Sequence, residues 1–179
     1  MAKQKVKMVQ CRYPKCMKLH ESTELPKDEA VQGGKQKYYY HPDCYHTMQT
    51  INQIKDQFYR EINPNMTGKQ IGQLVSIVNN IVFTKGNDVD FVKFALEYFI
   101  KYKPGALKYP GGMAYIVQDR DVLSAWEKLQ AQKIREELRK EMDKINDDDK
   151  GEIIGFDSSN KKIEYKDNRK NKFSNVLGV

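Results

Sequence analysis

Apolar residues recur at spacings of three and four through most of the chain from residue 45 to residue 145, a period that gathers them on one face of each of several helices. Tyr45, Met48, Ile51, Ile54, Phe58 and Ile62 form the first such run. It predicts a helix that opens at Pro42-Asp43, with Asp43 as N-cap, and stops at the Asn63-Pro64-Asn65 break. Thr67 and Gln70 have capping-box spacing and open a second run, Ile71, Leu74, Val75, Val78, Ile81 and Val82. After the Lys85-Gly86-Asn87 turn, a third helix is predicted from about Asp88 to Tyr102, with Phe91, Val92, Ala95, Leu96, Phe99 and Ile100 inward. Lys103-Pro104-Gly105 and Pro110-Gly111-Gly112 bracket a connector, and Met113 to Val117 reads as a helix start or a short strand. A long helix from Asp121 uses Val122, Leu123, Trp126, Leu129, Ile134, Leu138, Met142 and Ile145. Its distal half, residues 132–144, is dense in Lys, Arg and Glu, as in a helix that projects from a core or pairs with another helix.

The two ends of the chain lack this period. Lys3, Lys5 and Lys7 alternate with Val6 and Met8, the pattern of a short basic strand. Residues 20–37 are polar, carry Pro26 and Gly33-Gly34, and read as a loop or hairpin tip. Gln36 to Tyr40, with three tyrosines, reads as a strand. Residues 151–179 have scattered apolar residues among many Lys and Asn and read as a flexible polar tail. Within it, Ile153–Phe156 and Phe173–Leu177 are short apolar clusters suited to docking.

Candidate chemistry is concentrated near the N-terminus. The chain has three cysteines, Cys11, Cys16 and Cys44, and His41 stands beside the last in a C-x4-C…H-x2-C arrangement. Zinc takes four soft or borderline ligands in a tetrahedron, and closed Cys3His sites are structural rather than catalytic. Cys11, Cys16, His41 and Cys44 are therefore the expected zinc ligands, with His20 and His46 as the competing fourth donors; His20 is expected at the surface. Cys44 would lie in the first turn of a helix, where unsatisfied amides favour a thiolate. A structural zinc contributes on the order of 10 kcal/mol to the folding of such a segment. A knuckle, a hairpin and a ligand-bearing helix, in that order, make a treble-clef layout.

The short finger ending in Tyr40-His41-Pro42-Asp43-Cys44, followed by Tyr45, resembles LIM-type and related treble-clef fingers. The wider chain, over roughly residues 8–130, is similar to small zinc-finger proteins of phages of Gram-positive bacteria. The matching stretches are Leu96-Glu97-Tyr98-Phe99 and Gly111 to Val117. The C-x4-C spacing departs from the more usual C-x2-C. The resemblance implies a phage-encoded protein of the host cytoplasm and an N-terminal finger on a helical domain, and lends no activity. A second likeness, to helical DNA-replication initiation proteins, rests on Tyr115-Ile116 leading into Val122-Leu123 and Trp126.

Composition narrows the partners. Apolar residues make up 39% of the 179 and charged residues 31%, which suits a modest core with solvated helices. The net charge of +7 favours anionic partners such as nucleic acid. No apolar run approaches the roughly 18 residues of a membrane span, and the basic N-terminus lacks the apolar stretch of a secretory signal. An odd number of cysteines clustered with histidine fits metal binding in a reducing, cytoplasmic setting better than disulfides.

The expected fold is mainly α with a small α+β zinc finger. Residues 1–62 form a treble-clef finger and its helix, 63–130 a helical domain, 131–146 a projecting amphipathic helix and 147–179 the tail. No P-loop, Gly-x-Ser-x-Gly or His-Glu-x-x-His motif occurs, so catalysis is not expected. Asp88/Asp90 and Asp119/Asp121 are read as caps rather than magnesium ligands. The leading functional expectation is nucleic-acid binding in regulation or replication, with Arg12, Lys15 and Lys18 on phosphates and Tyr39 on bases. Helices two and three read as a plain hairpin, with Lys101, Lys103 and Lys108 placed to touch a phosphate backbone. The alternative is an adaptor or inhibitor that binds a host or viral protein through the 132–145 helix and the 173–177 peptide.

Overall fold

The computed structural model describes residues 6–34 and 36–148, with side chains as far as Asp143. Lys3, Lys5, the side chain of Ile145 and the tail beyond Asp148, with its two apolar clusters, lie outside the described residues. The protein is mainly helical, with two small antiparallel sheets near the N-terminus and one long helix. It divides into two compact units, the first ending at Ile134 and the second beginning at Arg135.

In the first sheet β1 (Met8–Gln10) pairs with β2 (Glu24–Pro26), Val9 opposite Leu25. In the second, β3 (Val31–Gly33) pairs with β4 (Tyr38–Tyr40), Gln32 opposite Tyr39. Residues 20–37 thus hold two strands where sequence predicts a loop or hairpin tip. Each strand is three residues long and buries a single residue, Leu25 in β2 and Gly33 in β3. That is too short for a period of two to register. The basic strand is also displaced: it begins at Met8, and Lys7 precedes it.

Helix α1 (Pro42–Gln57) starts two residues earlier than an Asp43 cap would allow. Its N-cap is His41, at φ −60° and ψ 146°, with Pro42 at the first helical position. A residue before proline is driven to extended backbone, which is what an N-cap requires, and proline lacks the N–H that would go unpaired there. Asp43 sits in the first turn. A single π turn, Phe58–Ile62, ends the helix, the Asn63 N–H donating to the Phe58 carbonyl at 3.0 Å.

The predicted capping box opens α2 (Gly68–Phe83): Gln70 N–H donates to Thr67 Oγ1 at 3.4 Å, and Thr67 N–H to Gln70 Oε1 at 2.8 Å. Gly86, at φ 72°, turns the chain into α3 (Val89–Tyr102), where Asp88 Oδ1 accepts from Asp90 N–H at 2.7 Å. The connector resolves as a 3-10 turn, Pro110–Gly112, running into α4 (Met113–Ile116), so Met113 to Ile116 is helix and not strand. Helix α5 (Arg120–Asp148) follows, with Asp119 Oδ1 accepting from Asp121 and Val122 N–H at 3.0 and 3.3 Å. Among the described residues no helix is long and apolar enough to cross a membrane.

Two apolar clusters form. The larger joins α1, α2, α3, α4 and the start of α5, with Ile54, Phe58, Leu74, Val92, Leu96, Met113 and Val122 fully buried. The smaller holds Cys11, Tyr13, Cys16, Leu25, Tyr40 and Cys44. Helix α1 serves both, Cys44 in the small cluster and Ile51 and Ile54 in the large one, which Phe58 of the π turn joins. Phe83 at the end of α2 touches both, its ring centroid 6.2 Å from that of Tyr13. Four apolar residues of the α5 period face solvent: Leu123 and, on the half predicted to project or pair, Ile134, Leu138 and Met142.

Candidate metal centre

The sulfurs of Cys11, Cys16 and Cys44 and an imidazole nitrogen of His41 all lie within 4.8 Å of one another. Local structure delivers each. Cys11 follows β1, its N–H donating to the Thr23 carbonyl at 2.7 Å. Tyr13 to Cys16 is a turn with Pro14 at its second position, closed by Cys16 N–H to Tyr13 carbonyl at 3.0 Å. The Cys16 carbonyl then accepts from both Leu19 and His20 N–H at 2.9 Å. Strand β4 carries His41 to its end, and Cys44 sits in the first turn of α1. The Cys16 sulfur is 3.4 Å from His41 Nδ1.

Electrostatics fits a site built for a cation. Burial raises the Cys44 thiol far above its ordinary value, and the neighbouring Cys11 and Cys16 sulfurs push it further. Burial and Cys11 likewise raise Cys16. Burial and the adjacent His20 lower His41, which holds its imidazole neutral, the form that ligates. Burial also pushes the Tyr13 phenol up to about 12. Three thiols and a neutral imidazole crowded together can hold a metal ion, which would replace thiol protons as it binds.

Neither competing donor belongs to the quartet. His46 turns away, its Nε2 2.9 Å from Asp90 Oδ2 on α3. His20 is half-buried rather than fully exposed. Its ring stacks on His41 with centroids 3.9 Å apart and planes 18° off parallel, and its Nε2 is buried with no hydrogen-bond partner among the described residues. The tight turn at Cys16–Lys18 folds His20 back over the site.

Around the centre, Arg12, Lys15 and Lys18 are exposed and Tyr39 is half-buried. The Arg12 guanidinium lies 5.9 Å from the Tyr38 ring centroid, and Lys27 Nζ lies 5.9 Å from that of Tyr39. Tyr38 is the exposed tyrosine of the three, at 42%, while Tyr40 is buried. Sequence reasoning chose Tyr39 over Tyr38 and left out Lys27, because the pairing that sets Tyr38 beside Arg12 and Lys27 beside Tyr39 is tertiary. Lys103 is not open to a phosphate backbone: its Nζ is 2.7 Å from Asp119 and 2.8 Å from Asp121. The start of α3 carries Asp88 and Asp90, the first a cap and the second paired to His46, as a plain hairpin requires.

A scan against family models and searches of curated proteins and solved structures found no match to this chain.

Proposed function

We propose that the protein is a zinc-dependent nucleic-acid-binding protein whose finger, of treble-clef type, supplies the contact surface. Zinc–sulfur bonds of about 2.3 Å and zinc–nitrogen bonds of about 2.0 Å set ligand separations of roughly 3.5 to 3.8 Å in a tetrahedron. The 3.4 Å Cys16–His41 separation and the 4.8 Å outer span bracket that range, so a small contraction of the cluster suits zinc. All four positions are then protein ligands, which makes the metal structural.

One observation carries the nucleic-acid reading: the pairing of exposed cations with tyrosine faces, Arg12 on Tyr38 and Lys27 on Tyr39. Cations for phosphates beside aromatic faces for bases are what sequence-tolerant binding of single strands uses. Charge supports it. Residues 1–41 contain nine Lys or Arg against four Asp or Glu, +5 of the chain's net +7. The resemblance to phage zinc-finger proteins suits a role in regulation or replication.

The test titrates the full zinc-loaded chain with single-stranded and duplex oligonucleotides at several salt concentrations. Binding should weaken with salt at a slope of about −0.7 per phosphate contact on single strands and about −0.9 on duplex. Arg12→Ala and Lys15→Ala should each reduce that slope by about one contact. Undetectable or salt-insensitive binding overturns the reading.

A further inference from the structure

On α5, every described side chain from Ala131 to Asp143 is exposed, and three of them are large and apolar. Ile134, Leu138 and Met142 are 56%, 54% and 63% exposed. Four residues apart, they form one stripe along the helix. The stripe has two unlike edges. Arg135 and Arg139 line one, Glu137 and Glu141 the other. A face of this kind is normally covered.

The edges decide what covers it. When two identical helices pair in parallel and in register, the left edge of one meets the right edge of the other. Arg139 of one copy then comes level with Glu137 and Glu141 of the second, and the reciprocal contact forms across the two-fold axis. In antiparallel pairing each edge meets its own kind, arginine on arginine and glutamate on glutamate. We infer that α5 joins two copies of this chain through a parallel, in-register helix pair, with Ile134, Leu138 and Met142 at its centre. The contact is a few turns long, so the dimer is concentration-dependent. It places two basic fingers on one assembly, and it stands independently of what those fingers bind.

Sedimentation equilibrium of the full zinc-loaded chain tests it. The wild type should move from monomer to dimer as concentration rises, and Leu138→Asp should remain monomeric. Reversing one edge with Glu137→Arg and Glu141→Arg leaves both edges positive and should raise the dimer dissociation constant about tenfold or more. Adding Arg135→Glu and Arg139→Glu to that variant exchanges the two edges and should restore dimerisation to near the wild-type value. Rescue separates pairing from damage to the helix, since the fourfold variant carries more changes than the one it repairs. A wild type that stays monomeric at the highest soluble concentration, or a dimer unmoved by edge reversal, overturns the inference. So does a stripe that binds only a different protein.

Discussion

Chelating the metal from the folded chain should disorder the finger and leave the helical core standing. The small cluster has three large apolar side chains, Tyr13, Leu25 and Tyr40, each 9% exposed or less. At about 1.5 to 3 kcal/mol apiece their burial is worth roughly 5 to 9 kcal/mol. A structural zinc supplies on the order of 10 kcal/mol or more, so zinc bound there would stabilise the finger more than its apolar burial does. The helical core has no such dependence. Ile54, Phe58, Leu74, Val78, Ile81, Val92, Leu96, Met113 and Val122 are all at most 1% exposed. Their burial is worth roughly 14 to 27 kcal/mol by the same measure. Amide hydrogen exchange resolves the two parts. With chelator, the amides of Cys11, Arg12 and His20, bonded to the Thr23, Tyr39 and Cys16 carbonyls at 2.7, 2.9 and 2.9 Å, should exchange almost as in an unfolded chain. Val92 N–H, bonded to the Asp88 carbonyl at 3.1 Å, should keep its protection, as should the interior of α2. The reasoning fails if metal analysis shows the site stripped while the Cys11, Arg12 and His20 amides stay protected. It fails equally if finger and helices lose protection together.

Gly33 packs directly under the Tyr45 ring, which an added Cβ would overlap. Gly33→Ala should therefore destabilise the metal-loaded protein by about 1 to 3 kcal/mol in urea unfolding. Gly72→Ala, in open space on α2, should be neutral or stabilise by up to about 1 kcal/mol. Leu74→Ala removes a side chain with 0% exposure from the centre of the large cluster and should cost roughly 2 to 5 kcal/mol in the same assay; a loss below about 1 kcal/mol would mean that the site collapses or is not core. The ion pair with Lys103 and two backbone N–H bonds hold Asp119 below the usual carboxylate range, and the pair raises Lys103. A lowered acid stabilises above its unfolded value and loses that as pH falls through the folded one; a raised base does the reverse at the alkaline end. The stability difference between wild type and Asp119→Asn, which keeps a capping oxygen, should thus be flat from about pH 5 to 9 and shrink below about pH 4. A difference that grows on acidification would refute the ion pair.

What sequence made legible depends on how far apart the deciding atoms are. Thr67 and Gln70 settle the start of α2 between themselves, three residues apart, and the structure forms both bonds. The metal quartet was legible because chemistry substitutes for distance: thiols and imidazole are rare, and their spacing restricts the partners. Three-residue strands left no period to read. The Asp43 cap failed because a preference for carboxylate at that position lost to the backbone constraint that Pro42 places on His41. His20 and Lys103 were misplaced for one reason: their partners, His41 and Asp119, lie twenty-one and sixteen residues away. The period of α5 was read correctly as amphipathic, yet periodicity does not say whether a face is covered. Ile134 and Val122 fit one pattern, and one is 56% exposed while the other is 0%.

Helix α1 ties the candidate metal centre to the helical core. Its first turn holds Cys44 in the ligand cluster, and three turns on, Ile54 and Phe58 anchor it in the helical core. The finger is therefore fixed to the helices through a rigid rod and through the Tyr13–Phe83 contact, not through a linker. Four donors turned inward use every cysteine and would leave a bound metal no open position at the surface. What they turn outward is the cation-and-tyrosine face of Arg12, Tyr38, Lys27 and Tyr39. That face exists because β4 must deliver His41. The same three residues that aim the ligand put Tyr40 into the small core and leave Tyr38 in solvent. Under the proposed function, loss of a bound metal would then weaken nucleic-acid binding without any ligand touching the bound molecule, by dispersing the strand on which the surface residues stand.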